Sequence, residues 1–352
     1  MDYRIYDVED ESTDSEESYK ENNKRKQRWM LLILSSIILI VFISLYIGNK
    51  TFDVFEITRA IFTGETSTTI GVFIWKIDIP IAIAAILSGA MLSIAGTAMQ
   101  CVLRNPLASP YTLGISNAAA FGAAFSIIFL TGNMNAYSTP ISAFVMAMVA
   151  TGLIILLTKI TRVSSETMVL AGIAISAIFS AGMTLMQYIA DPIQLSSIVT
   201  WTFGSVSHTN WKWDFVLLVV MLVAVLYFYP RRWDMNAMNA GDEVAKGLGV
   251  DTKRFLTVGM FMSAVITAFV VSKFGVISFV GLLGPHMART IVGDDHRFLL
   301  PMSMLTGALL LLVANIIALN VALPRILPVG LLTSLIGGPT FIYMLIRRYR
   351  AS

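Results

Sequence analysis

The chain has 352 residues, of which 56% are hydrophobic and only 13% charged, with a net charge of +3. So few charges, about half the ~25% of a soluble domain, exclude an ordinary globular protein, and a mean hydropathy of +0.74 points to a membrane. A single cysteine, Cys101, and three histidines exclude a disulfide framework and any multi-cysteine or histidine-rich metal site within the chain.

Residues 1–28 stand apart from the rest. Acidic residues run from Asp2 to Glu21, the basic cluster Lys24–Arg28 follows, and no apolar period is available to bury. Such a segment reads as a disordered tail. The basic cluster ahead of the apolar run Trp29–Ile47 imitates a secretory signal, but the acidic extension is wrong for one and no small-residue cleavage site follows. The run therefore reads as a retained first transmembrane helix, and residues 29–350 as one transmembrane domain.

A helix needs about 20 apolar residues to cross a bilayer core. Runs of that kind lie at 30–47, 80–101, 112–131, 139–159, 167–190, 212–229, 254–272, 276–292, 299–320 and 328–346, which makes an all-α polytopic protein of ten spans. An even number places both termini on one side. With the termini cytoplasmic, only Lys50, Arg59, Lys76, Lys212, Lys273 and Arg325 of the 25 lysines and arginines fall outside, as the cytoplasmic excess of positive charge requires. Thr51–Gly64 is shorter and amphipathic, and is expected to lie in the interface.

One cytoplasmic connection, 230–254, is long and structured in character. Within it Asn236–Gly247 reads as one or two short helices, with Asp242 and Glu243 in a first turn that favours anions and Gly247 and Gly249 as stops. On the other side, Asp191–Trp213 reads as polar and irregular, with Trp201, Trp211 and Trp213 suited to a headgroup belt. Inside the spans, backbone must be helical except at breaks lined by protein.

The second span carries Gly89, Ser93 and Thr97 at four-residue spacing with Gly96 beside them, a stripe that lets helices approach closely. Ionisable residues within the spans are nearly absent. His286, next to Pro285, reads as a packed imidazole rather than a metal ligand or proton relay, and the scarcity disfavours an ion-gradient-driven secondary transporter, the alternative reading. No phosphate loop, nucleophile elbow or zinc-hydrolase motif occurs. The chain is expected to catalyse no bond change and to bind no cofactor directly, with energy supplied by an external ATPase.

Several segments together resemble the FecCD-type permease family, the membrane subunits of ATP-binding-cassette importers for iron–siderophore, haem and cobalamin. They are Gly89–Gln100 followed by Arg104-Asn-Pro-Leu-Ala-Ser-Pro-Tyr-Thr-Leu-Gly-Ile-Ser-Asn117, then Leu170–Ala174, Trp201 with Gly204-Ser205, Gly241–Asp251, Ile277–Arg289 and Leu327–Phe341. Their order and spacing are specific, and the match runs from near Pro80 to the last span. The resemblance implies the type II importer fold of ten helices per subunit and two subunits, identical or paralogous, per transporter. It implies a cytoplasmic ATPase that binds ATP, an extracytoplasmic substrate-binding protein, and a cytoplasmic-membrane location with no nucleic-acid partner. The cargo is a metal chelate, a ferric siderophore first, with haem or cobalamin as the other possibilities. Residue by residue, Ala240, Gly241, Asp242, Glu243, Ala245, Gly247, Leu248 and Gly249 fall in the ATPase-coupling segment. Asn105 and Leu107 match one inner gate, and Ser164, Ser165 and Glu166 the other. The family's arginines around the proline before the second span are missing from Asp78-Ile79-Pro80-Ile81, and its outer acidic and basic positions read Asn315, Leu319 and Ile326. Arg59, Lys76, Lys273 and Arg325 remain as candidate cations for docking the binding protein.

Overall fold

The structure is a computed structural model that describes residues 8–48, 52–130, 137–160, 165–322 and 325–351, with side chains for all of these except 8–15, 158–160, 165–167, 344–345 and 347–351. The described residues form helices and connecting turns, with no strand among them. In chain order the helices are α1 (Val8–Gly48), α2 (Val54–Thr63), α3 (Thr69–Phe73), α4 (Ile79–Val102), α5 (Ile115–Phe129), α6 (Ser138–Ile160), α7 (Ser165–Ile189) and α8 (Pro192–Thr202). They continue as α9 (Trp211–Phe228), α10 (Arg232–Asn239), α11 (Asp242–Gly247), α12 (Thr252–Phe274), α13 (Val280–Val292), α14 (His296–Asn320) and α15 (Val329–Ala351). A π-helical turn, Ile74–Asp78, joins α3 to α4.

Each predicted span falls on a helix. Among the described residues seven helices are long and apolar enough to cross a membrane, from α1, α4, α6, α7, α9, α12 and α14, and the chain is a multi-pass membrane protein. Two of the other three spans are shorter as helices, α5 with 15 residues and α13 with 13, while α15 has 23 and its apolar sequence continues to Ile346. The shortness of α13 has a local cause. Residues 275–279 leave the helix, with Gly275 at φ 74° and Phe279 at φ 64°, and Ile277 and Ser278 of this break are buried among other helices. Non-helical backbone at this depth is tolerated because protein, not lipid, surrounds it.

α4 is the axis of the bundle. Nearly all of its residues are buried, against α14, α12, α13 and α9. The small-residue stripe is the reason. A methyl group at Gly89 would overlap the Gly307 carbonyl of α14, and one at Gly96 the Gly281 carbonyl of α13. Such backbone contact is how helices gain dispersion energy where lipid offers no hydrophobic drive. Outer helices are the converse. α1, α7 and α9 expose Leu39, Ile178 and Leu226, among other large apolar side chains, as lipid-facing surfaces do.

Two expectations are corrected. The segment 8–28, read as disordered from its charge, continues α1 as helix, with Lys20 and Glu16 paired one turn apart and most side chains from 16 to 29 exposed. Charges spaced at i, i+4 support a solvated helix without a buried face. The segment Asp191–Trp213, read as irregular, contains α8. Asp191 and Gln194 form a reciprocal capping box and Pro192 occupies the first turn.

α2 is short and amphipathic, capped by Asp53 and stopped by Gly64 at φ 64°. Ile57 and Ala60 are buried, while Phe55 and Phe62 face outward. Trp75 in the π-turn donates to the Ala60 carbonyl at 2.9 Å and stacks on Trp211, which donates to the Trp75 carbonyl at 2.7 Å. The indole pair thus ties α2, the start of α4 and the start of α9 into one end of the bundle. The opposite end carries α10, α11, the C-terminus of α4 and the α13–α14 turn.

Candidate functional site

The α11 end of the bundle holds a cavity of about 680 Å3 whose lining includes Gln100, Arg104, Leu107, His286, Arg289 and Asp294. It is built where α4 stops. After Val102 the backbone tightens, with the Asn105 amide bonded to the Gln100 carbonyl and Arg104 forced to φ 46°, a left-handed conformation rare outside glycine. The Asn105 side chain then accepts from the Leu107 amide at 2.9 Å, which turns Leu107 outward, 39% exposed, at the cavity wall. Asn105 therefore shapes the loop locally, and Leu107 presents an apolar group to the opening.

Opposite this loop, α13 supplies Arg289. Its guanidinium donates to Gln100 at 3.0 Å and pairs with Asp294, closing the turn between α13 and α14. Pro285 and the half-buried His286 lie one turn earlier on the same helix.

The short pair α10 and α11 projects beside the cavity. α10 is anchored by buried Met235, Ala237 and Met238, and Cys101 of α4 lies against the Met235 carbonyl. Ala240 ends α10, and Gly241 at φ 121° reverses the chain so that Asp242 and Glu243 open α11. Ala245 is buried and fixes α11, whereas Glu243, Val244, Gly247, Leu248 and Gly249 are exposed, Leu248 by 70%. Asp242 turns the other way and pairs with Arg104.

A second polar cluster braces α10. Asp295, the N-cap of α14, accepts from Asn236 at 3.0 Å and pairs with Arg297, while the Asn236 side-chain oxygen accepts from the His296 amide at 2.8 Å. Burial alone would raise the Asp295 carboxyl, but the hydrogen bonds from Arg297 and Asn236 outweigh it and hold the pKa at about 2. Arg297 also lies over the rings of Trp233 on α10 and Tyr19 on the extended α1, joining three elements at one cation.

The structure brings the predicted coupling residues and Asn105 and Leu107 together at one end of the bundle. Ser164 lies outside the described residues, and Ser165 and Glu166 begin α7 with side chains likewise outside them. Of the candidate docking cations, Arg59, Lys76 and Arg325 are exposed at the α2 end. Lys273 is half-buried with its ammonium 4.6 Å from the Trp213 ring centre, so its charge is already engaged. Sequence reasoning did not single out Arg104, Arg289, Asn236, Asp295 or Arg297 as site residues. Asn236 is 59 positions from Asp295, Arg104 is 138 from Asp242 and Arg289 is 189 from Gln100, and no spacing pattern announces such pairs. Among the described residues no group of three His, Cys, Asp or Glu side chains is placed to hold a metal ion.

Comparison with known proteins places this architecture. The FecCD transport family matches residues 36–347. A protein of Methanocaldococcus jannaschii named as an ABC transporter permease is 41% identical over 347 residues, covering 96% of this chain and 99% of its own. The haemin transport system permease of Yersinia pestis is 33% identical over 331 residues, covering 93% and 98%. Among solved structures, one described as a metal-chelate type ABC transporter in an inward-facing conformation superimposes with a TM-score of 0.81 at 28% identity, covering 91% of this chain and 99% of that one. With these matches spanning nearly the whole bundle, the chain belongs to the FecCD transport family.

Proposed function

We infer that this chain is the membrane-spanning permease of a binding-protein-dependent ABC importer, energised by a separate cytoplasmic ATPase. The observation that carries this reading is α11, a short helix fixed by buried Ala245 yet presenting Glu243, Val244 and Leu248 to solvent beside the cavity. A small firm element with mixed apolar and acidic exposure suits a cleft on a partner subunit, where it converts nucleotide-driven closure into movement of the spans. The chain's part in this reading is to form a path, and the bond is broken on the ATPase.

In this reading the α11 end faces the cytoplasm with both termini, and α5, α13 and α15 complete ten spans. A second copy or a paralogue encloses the path. The cargo is a metal chelate, a ferric siderophore first. The haemin permease of Yersinia pestis and the metal-chelate type transporter support the class. A binding protein docks at the α2 end, with exposed Arg59, Lys76 and Arg325 as its cationic contacts.

The test is capture from gentle detergent of what co-purifies with wild type and with a Glu243→Arg, Gly247→Trp double variant. A Cβ at Gly247 meets nothing within 4 Å, so a bulky residue there starts in open space at the docking surface. An ATPase recovered with wild type and lost with the folded variant supports the reading. No ATPase in any gentle detergent refutes it.

A further inference from the structure

Gly241, at φ 121°, and Gly249, at φ 86°, flank α11, and neither has a neighbour where a side chain would stand. α11 is thus a small block between two open joints. Its firm hold inward is Ala245, and its polar hold is Asp242, whose carboxylate pairs with Arg104. Arg104 is the residue by which α4 passes into the loop carrying Asn105 and Leu107, and it lines the cavity. Its φ of 46° is a conformation a long side chain rarely adopts unless the surroundings impose it. The base of the same loop is held by the separate contact of Gln100 with Arg289 on α13.

A movement of α11 therefore has a direct mechanical route to the loop, through one ion pair at a strained joint, while the loop's base stays attached to α13. We propose that the Arg104–Asp242 pair is the positioning link that transmits displacement of α11 to the Asn105–Leu107 loop, so that the cavity mouth opens and closes with the state of the docked subunit. This rests on the importer reading above and names the residues through which that reading would operate. The pair is half-exposed, so it adds little to static stability. Its value lies in differing between two positions of α11, which is what a coupling contact must do.

The experiment uses the complex that co-purifies with the full chain, in membrane vesicles, with Cys101→Ser and Leu107→Cys as background. The probe is a membrane-impermeant maleimide, and the readout is the change in labelling rate on adding ATP and magnesium, alongside the ATPase rate. Wild-type pairing should give an ATP-dependent change. Arg104→Gln, outside the coupling segment, should reduce that change by about five-fold or more while the ATPase still co-purifies and turns over, and Asp242→Asn should reduce the change by the same factor. The double variant should be no worse than either single one, because both remove the same contact. An undiminished ATP response in the single variants, or losses that add in the double variant, would overturn the link. Absence of any ATPase from the wild-type complex would instead count against the importer reading itself.

Discussion

At Asp295 one carboxylate receives hydrogen bonds from two directions, Asn236 on α10 and Arg297 on its own helix. Because its folded pKa of about 2 lies below the ordinary 3.8, its stabilising effect is present above the ordinary value and is lost as pH falls through about 2. The group is partly solvated, so the contribution is about 1 kcal/mol after screening. Asp295→Asn should lower the melting temperature in detergent near neutral pH. The gap from wild type should narrow steadily below about pH 4, and a gap independent of pH would show that the lost charge is not the cause. Such residues were invisible in the sequence for a physical reason. Asn236 and Asp295 are 59 positions apart, and Arg104 and Asp242 are 138 apart. Only the folded bundle creates their contact.

Elements were more legible than contacts. Apolar runs located every long helix, since a span must hide its backbone in one continuous hydrogen-bonded rod. The stripe of Gly89, Ser93, Gly96 and Thr97, read as permitting close helix approach, lies on α4, where all four are buried. Misreadings arose where polarity was taken for irregularity. α8 is polar at its start, yet Asp191-Pro192-Ile193-Gln194 spells a capped first turn, a signal present in the sequence. The extended α1 is charged throughout 16–28, yet its Glu16 and Lys20 are helically spaced. Close approach of α4 to α13 carries a direct consequence. Gly96→Ala forces a methyl into the Gly281 carbonyl and should cost about 3 kcal/mol, visible as a clear drop in melting temperature. Gly152→Ala on α6, where a methyl meets nothing within 4 Å, should be neutral or slightly stabilising. Equal behaviour of the two variants would mean that the helix contact is not tight.

For the whole molecule, orientation is the property most open to direct measurement. In a Cys101→Ser background, Glu17→Cys and Leu248→Cys should react with an impermeant thiol reagent only in inside-out vesicles. Lys76→Cys and Arg325→Cys should react only in right-side-out ones. All four positions are exposed in the chain itself. Reaction of Leu248→Cys and Lys76→Cys from one side would break the assignment of the two ends. The expectation comes from the placement of charge along the chain, because lysine and arginine are retained on the cytoplasmic side during insertion.

The glycine contacts of α4 reach further than packing. At Gly89, Gly96 and Gly307 a carbonyl of the neighbouring helix stands where a side chain would begin, so α4, α13 and α14 pack backbone to backbone as one post. In the proposed importer such a post leaves the give to the glycine joints around α11 and to the loop after α4. Drugs or engineered crosslinks meant to arrest the cycle would accomplish nothing across that post, and everything across its moving neighbours.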